Sequence, residues 1–121
     1  MIGTALALYV LVLMVFKARS ERADVAAARE ELVSELLRLR DAEDVHFRAT
    51  GAYATFGEAG LDYQPPAHLL FQLHADGVRG WRGVIADSTL PVPPRACGVF
   101  VGDPALAPNR ATVRPGVPAC W

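Results

Sequence analysis

The sequence predicts an α+β protein in which one long N-terminal helix packs against a small antiparallel β-sheet. Three features of the 121 residues support this prediction. Residues 1–16 carry no charge, residues 17–48 hold seven basic and eight acidic side chains, and all nine prolines lie at Pro65 or beyond. A proline-free first half favours helix, and a Pro- and Gly-rich second half favours short strands. We therefore expect a helix over 1–51 and a globular head over 52–121.

The first element is an apolar helical segment over 2–16, with the sequence IGTALALYVLVLMVF. Fifteen residues cover roughly 22 Å, whereas a bilayer core of about 30 Å needs about 20 residues. We expect a membrane or a bundle of partner helices to cover this segment. The alternatives are a signal-peptide core and a helix buried in a soluble protein. The side chains expected at the covered surface are Ile2, Leu6, Leu8, Tyr9, Val10, Leu11, Leu13, Met14 and Phe16.

Residues 17–51 predict an amphipathic continuation of the same helix, because they are rich in Ala, Leu, Glu and Arg. Gly51 is expected to supply the left-handed residue that follows the helix end near Thr50. The charged residues are expected to be solvated, as is the helix end around His46, and to include the pairs Glu35–Arg38 and Arg40–Asp44. Apolar residues at 3–4 spacing form one stripe: Val25, Ala28, Leu32, Leu36 and Leu39, widened by Val33 and Leu37.

The second half predicts three or four antiparallel strands after a connecting loop over 53–66. Strand-like runs occupy 68–74, 78–86 and 97–101, and Asp76-Gly77 is a turn signal between the first two. The apolar face of the sheet is expected to cover the stripe on the helix.

Cys97 and Cys120 are the only cysteines. We expect them to form a disulfide that closes the C-terminal loop and stabilises the proline-rich tail by about 3 kcal/mol. Two free thiols, or a metal site with a histidine, are the alternatives. A disulfide indicates an oxidising compartment and places the head outside the cytoplasmic membrane. The basic residues that follow the apolar segment favour the opposite orientation: Lys17, Arg19 and Arg22.

Motifs for catalysis are missing from the sequence. It has no glycine-rich phosphate loop and no nucleophile elbow, so we expect no enzymatic activity, no cofactor and no metal. Arg79, Trp81 and Arg82 combine guanidinium groups with an aromatic ring, a combination that can hold single-stranded nucleic acid. The net charge of −1 argues against a large nucleic-acid surface. A buried tryptophan between surface arginines is the alternative interpretation.

Three local motifs, in this order, resemble those of type IV pilins and pseudopilins. They are AEDVHF at 42–47 followed by TGAYA at 50–54, Gly80-Trp81 followed by VIA at 84–86, and RACGVFVGD at 95–103 with GVPACW at 116–121. The resemblance implies a long helix carrying a small sheet with a disulfide-closed C-terminal loop. The N-terminus departs from the family, because Gly3 is followed by TALAL and no acidic residue precedes Glu21.

The resemblance implies a structural subunit of an extracellular type IV pilus-like filament or pseudopilus, which polymerises through its apolar helix. The implied partners are copies of the chain in a helical filament, the inner membrane before assembly, and pilus or secretion machinery. The implied location is the cell surface, reached from an inner-membrane precursor facing the periplasm. The alternatives are a membrane-anchored extracytoplasmic interaction module that never polymerises, and an accessory pilin that binds DNA.

Overall fold

The computed structural model describes the backbone of residues 2–121 and their side chains except those of Ile2, Ala18 and Ser20. It confirms the α+β layout. Helix α1 (Ile2–Thr50) is followed by β1 (Leu70–Asp76), β2 (Gly80–Ala86), β3 (Ala96–Gly102), a 3-10 turn (Pro104–Leu106) and β4 (Ala119–Cys120). The four strands form one antiparallel sheet in the order β1-β2-β3-β4.

Helix α1 is one uninterrupted element of 49 residues, roughly 74 Å long at about 1.5 Å per residue. Its end is the predicted one. Gly51 has a φ of 81° and donates its N–H to the Phe47 carbonyl at 2.7 Å. A residue with a side chain would be strained in this left-handed conformation, so glycine fixes the place where the chain leaves the helix.

The strands differ from their predicted bounds by a few residues. β1 begins at Leu70 instead of His68, and β2 begins at Gly80 because residues 77–79 form the turn. In that turn the Arg79 N–H donates to the Asp76 carbonyl at 2.8 Å. The fourth strand comes from the tail, where Cys120 pairs with Cys97 across β3 and β4.

The core lies between one face of α1 and the sheet. Leu32, Leu36 and Leu39 are fully buried against a sheet surface that includes Trp81 and Ile85. Gly83 lets the two layers approach, because a Cβ at this position would lie 2.7 Å from Leu39 Cδ2. A glycine in the middle of a strand weakens the strand in isolation. Here it allows the helix to pack closely on β2.

One predicted ion pair is present and the other prediction is wrong. Arg38 lies 2.8 Å from the Glu35 carboxylate. Arg40 does not pair with Asp44, because its guanidinium turns to the tail and donates to the Gly116 carbonyl at 2.8 Å. Asp44 pairs instead with Arg48 at 2.8 Å. The tail thus adds a polar contact between the head and α1 that helix spacing does not indicate.

Candidate assembly interface

The apolar first third of α1 has no cover from the head. Ten large apolar side chains between Leu6 and Phe16 are exposed, with exposed fractions from 42% at Val10 to 64% at Phe16. Of the side chains expected at this surface, that of Ile2 lies outside those the structure describes. Helix α1 is long and apolar enough to cross a membrane, and none of its most apolar 18-residue window is buried. Large exposed apolar surfaces are typical of protein–protein contacts and of membrane contacts.

We call residues 2–24 of α1 its lower part and residues 25–50 its upper part. The head is held on the upper part by polar contacts as well as by the core. The Arg29 guanidinium donates to three successive carbonyls of the β2–β3 loop, those of Val92, Pro93 and Pro94, at 3.1–3.2 Å. Proline-rich segments have few N–H donors, so an external donor satisfies carbonyls that the loop cannot pair itself. Arg29 therefore joins the loop to the helix.

The disulfide between Cys97 and Cys120 is present, as expected. It joins β3 to β4, and Cys97 is fully buried in the core. The tail from Asp103 to Pro118 connects these two strands along the chain. Part of the C-terminal region lies on the outer face of the sheet, where Pro108 and Trp121 flank Gly98. The bridge thus anchors the tail to the centre of the head.

The residues considered for nucleic-acid contact do not form one surface. Trp81 is only 1% exposed and packs in the core facing α1, so its ring cannot stack on a base. Arg79 is exposed but lies 2.9 Å from Asp103 and 3.5 Å from Asp76. Arg82 follows Trp81 in the strand and lies on the opposite face, across from His74. The combination of guanidinium and aromatic groups suggested by the sequence is separated by the sheet itself.

The helix end around His46 is not solvated as expected. Glu43 is fully buried and His46 is nearly so, because the loop after α1 folds back over them. One carboxylate oxygen of Glu43 accepts the Ala54 N–H at 2.9 Å, and among the described residues its Oε2 has no hydrogen-bond partner. Burial raises the pKa of Glu43 to about 7, against the opposing effects of the Ala54 N–H and of His46. The signal for this burial was the spacing, since positions 43 and 46 continue the stripe through Leu36 and Leu39.

Glu35 is a second buried acid on the same helix, and its partners are complete. Its two oxygens accept from Arg38 at 2.8 Å and from the Tyr63 hydroxyl at 3.0 Å. Burial, together with the bond to Glu35, raises the pKa of Tyr63 above its ordinary value. Glu35 and Glu43 thus fasten the two ends of the connecting loop to α1.

The histidines are not arranged for a metal. His68 lies before β1 and is 3.0 Å from Glu31, while His74 lies on the outer sheet face. Within the described residues, no group of three or more His, Cys, Asp or Glu could hold a metal ion.

Comparison of the chain with protein-family models, with curated proteins and with solved structures found no match.

Proposed function

We propose that this chain is a structural subunit of an extracellular type IV pilus-like filament or pseudopilus, and that it acts in assembly and not in catalysis. The observation that carries the proposal is the apolar segment of α1, which the head leaves exposed. The head and the helix residues under it form one complete core, and the head closes its own disulfide. The apolar segment has no partner within the described chain.

The shape of the apolar segment favours neighbouring helices as its final cover. Exposed apolar side chains lie on every side of the segment, so a partner on one side would leave most of them in water. Covering one large apolar side chain stabilises an assembly by roughly 1.5–3 kcal/mol. A helix surrounded by copies of itself is covered on all sides, and it needs no full bilayer span. Before assembly, a membrane would hold the same segment with a modest length mismatch.

The disulfide supports placement of the head in an oxidising compartment, with an inner-membrane precursor facing the periplasm.

The second candidate function is a membrane-anchored module that never polymerises. The observation that favours it is the same helix, which is long and apolar enough to cross a membrane. The two functions differ in where the chain is found after the cell surface is sheared.

The experiment is to shear surface material from cells that produce the chain, pellet it, and image it by negative staining with an antibody against the head. We expect labelled filaments for the native chain and none for Val12→Asp, because a carboxylate in a helix core carries a large desolvation cost. The matched control is Val113→Asp, which changes the same residue type at an exposed position of the head and should leave the filaments intact.

The result that overturns the proposal is a native chain that stays in the membrane fraction and labels no filament. That result would favour the membrane-anchored module. Equal loss of filaments in Val12→Asp and Val113→Asp would also contradict the assignment of assembly to the apolar segment.

A further inference from the structure

The upper part of α1 has a second surface that the sheet does not cover. Val33, Ser34 and Leu37 line a shallow, mostly apolar groove on this side of the helix, and Arg29 and Glu30 border its lower end. One to two turns further on, Asp41 and Asp44 are exposed on the same side. The stretch of this surface from Val33 to Asp44, which we call the upper face, passes from apolar to acidic in the direction of the head end of α1.

The lower part of α1 has a surface with the same succession of apolar and charged residues. Leu11, Val12, Val15 and Arg19 lie along one groove at the end of the apolar segment. Arg22 follows one turn later and is exposed. This surface, the lower face, passes from apolar to basic in the same direction.

The two faces match when one copy of the helix is turned about its axis to face another and is shifted along it until Leu11 lies opposite Val33. We call this shift the long offset. The long offset is about 33 Å at about 1.5 Å per residue. It returns nearly the same side of the helix, because it equals two repeats of about 11 residues each. It sets the apolar residues against apolar or small ones and the basic residues against acidic ones: Leu11 on Val33, Val12 on Ser34, Val15 on Leu37, Arg19 on Asp41, and Arg22 on Asp44.

We propose that the lower face of one copy packs in parallel on the upper face of a second copy at the long offset. The proposal rests on the proposed function and specifies its register. The two faces are different surfaces of one chain, so the contact is head-to-tail and continues from copy to copy without closing. An open series of this kind is what a filament requires.

The charges on the other sides of the helix do not compete for this contact. Glu21 and Asp24 lie on the opposite side of the helix from Arg19. Among the described residues, Arg19 and Arg22 form no ion pair within the chain. The acids of the upper face have only neighbouring arginines within reach, at 3.8 Å from Asp41 to Arg40 and 2.8 Å from Asp44 to Arg48.

A shorter offset fits the charges less well. A shift half as long also returns the same side of the helix, and it sets Arg19 on Glu30. The same shift sets Glu30 of one copy on Asp41 of the next, however, and like charges in contact are unfavourable. The long offset brings together two opposite-charge pairs and, between the residues of the two faces, no like-charge pair.

The test is a charge exchange in the full chain, read as the amount of sheared filament per cell. We expect Arg19→Asp and Asp41→Arg each to lower the yield at least tenfold, and the double variant Arg19→Asp/Asp41→Arg to recover most of it. Arg110→Asp is the matched control, since Arg110 is exposed in the tail and forms no ion pair among the described residues. The melting of the head, followed by tryptophan fluorescence, should be unchanged in all four variants.

A second measurement places the contact directly. A photo-crosslinking benzoylphenylalanine at Val15 should capture a peptide of another copy that contains Leu37, either in filaments or in full chains concentrated in mild detergent. Single reversals without effect, failure of the double variant to recover, or a crosslink to another part of the helix would overturn the long offset. If the native chain forms no filament, the proposed function fails, and the crosslinked peptide in detergent then decides the offset alone.

Discussion

The two parts of α1 contain similar apolar residues but have opposite surroundings. In the upper part, Leu32, Leu36 and Leu39 are fully buried under the sheet. In the lower part, the side chains from Leu6 to Phe16 are about half exposed. The upper part is apolar on one side, and one sheet is enough to cover it. The lower part is apolar on all sides, so it needs several neighbours, and the chain itself does not supply them.

The largest expected effect comes from placing the same charge in each part. Leu36→Asp should abolish cooperative unfolding of the head, because an unpaired buried carboxylate costs several kcal/mol against a typical total stability of about 5–15 kcal/mol. Val12→Asp should leave the melting of the head unchanged and remove assembly alone. Melting in mild detergent, followed by tryptophan fluorescence, measures the first effect, and the yield of sheared filament measures the second.

A head that melts normally in Leu36→Asp would contradict the described packing of the upper part. A head destabilised by Val12→Asp would contradict the independence of the two parts. Leu36→Ala provides a graded version of the first change, with an expected loss of about 2–5 kcal/mol from the cavity it leaves.

The features that the sequence predicts correctly are those with local causes. The apolar stripe through Leu32, Leu36 and Leu39 predicts the buried side of the helix, and the Thr50-Gly51 step predicts its end. The pairing of the two cysteines was also expected, because the proline-rich tail has little else to hold it. Each of these predictions depends on spacing along the chain or on residue type alone.

The features that the sequence analysis gets wrong are contacts between the helix and segments that lie outside it. Arg40 was expected to pair within the helix, but its partner is the Gly116 carbonyl, 76 residues further on. Glu43 was expected in water, but the loop that carries Ala54 closes over it. The apolar segment is an intermediate case, since the sequence predicts that a membrane or partner helices cover it but does not identify which of them.

The second prediction concerns the disulfide, which lies in the head and should affect only the head. Cys97→Ser should lower the free energy of unfolding by about 3 kcal/mol, because the unfolded chain gains the freedom that the closed loop removed. The tail should then become sensitive to protease, with cleavage in the segment between β3 and β4. Equal protease resistance of Cys97→Ser and the native chain would contradict this role of the bridge. Cys120→Ser is the matched variant and should give a somewhat smaller loss, because Cys120 is half-buried whereas a serine at position 97 places a hydroxyl in the core.

The third and smallest effect is expected at Glu43, an acidic residue of α1 that is buried under the loop carrying Ala54. The folded-state pKa of about 7 lies above the ordinary value of 4.5, so the folded chain binds this proton more tightly than the unfolded chain does. The contribution of Glu43 to stability is therefore most favourable below pH 4.5 and becomes less favourable as the pH rises through 7. Glu43→Gln keeps an oxygen for the Ala54 N–H and removes the titration.

We expect Glu43→Gln to melt at a higher temperature than the native chain at pH 8. The free energy of unfolding should rise by an amount on the order of 1–2 kcal/mol. This is less than the full free energy of the pKa shift, because a buried amide has its own desolvation cost. At pH 4.5 the difference should be small, because the carboxyl is then protonated in the folded chain and already half protonated in the unfolded chain. Glu35→Gln is the comparison variant, and it should be destabilised instead, since both oxygens of Glu35 have partners that an amide cannot fully replace. A difference at Glu43 that is equal at pH 4.5 and pH 8 would show that its carboxyl does not titrate between them.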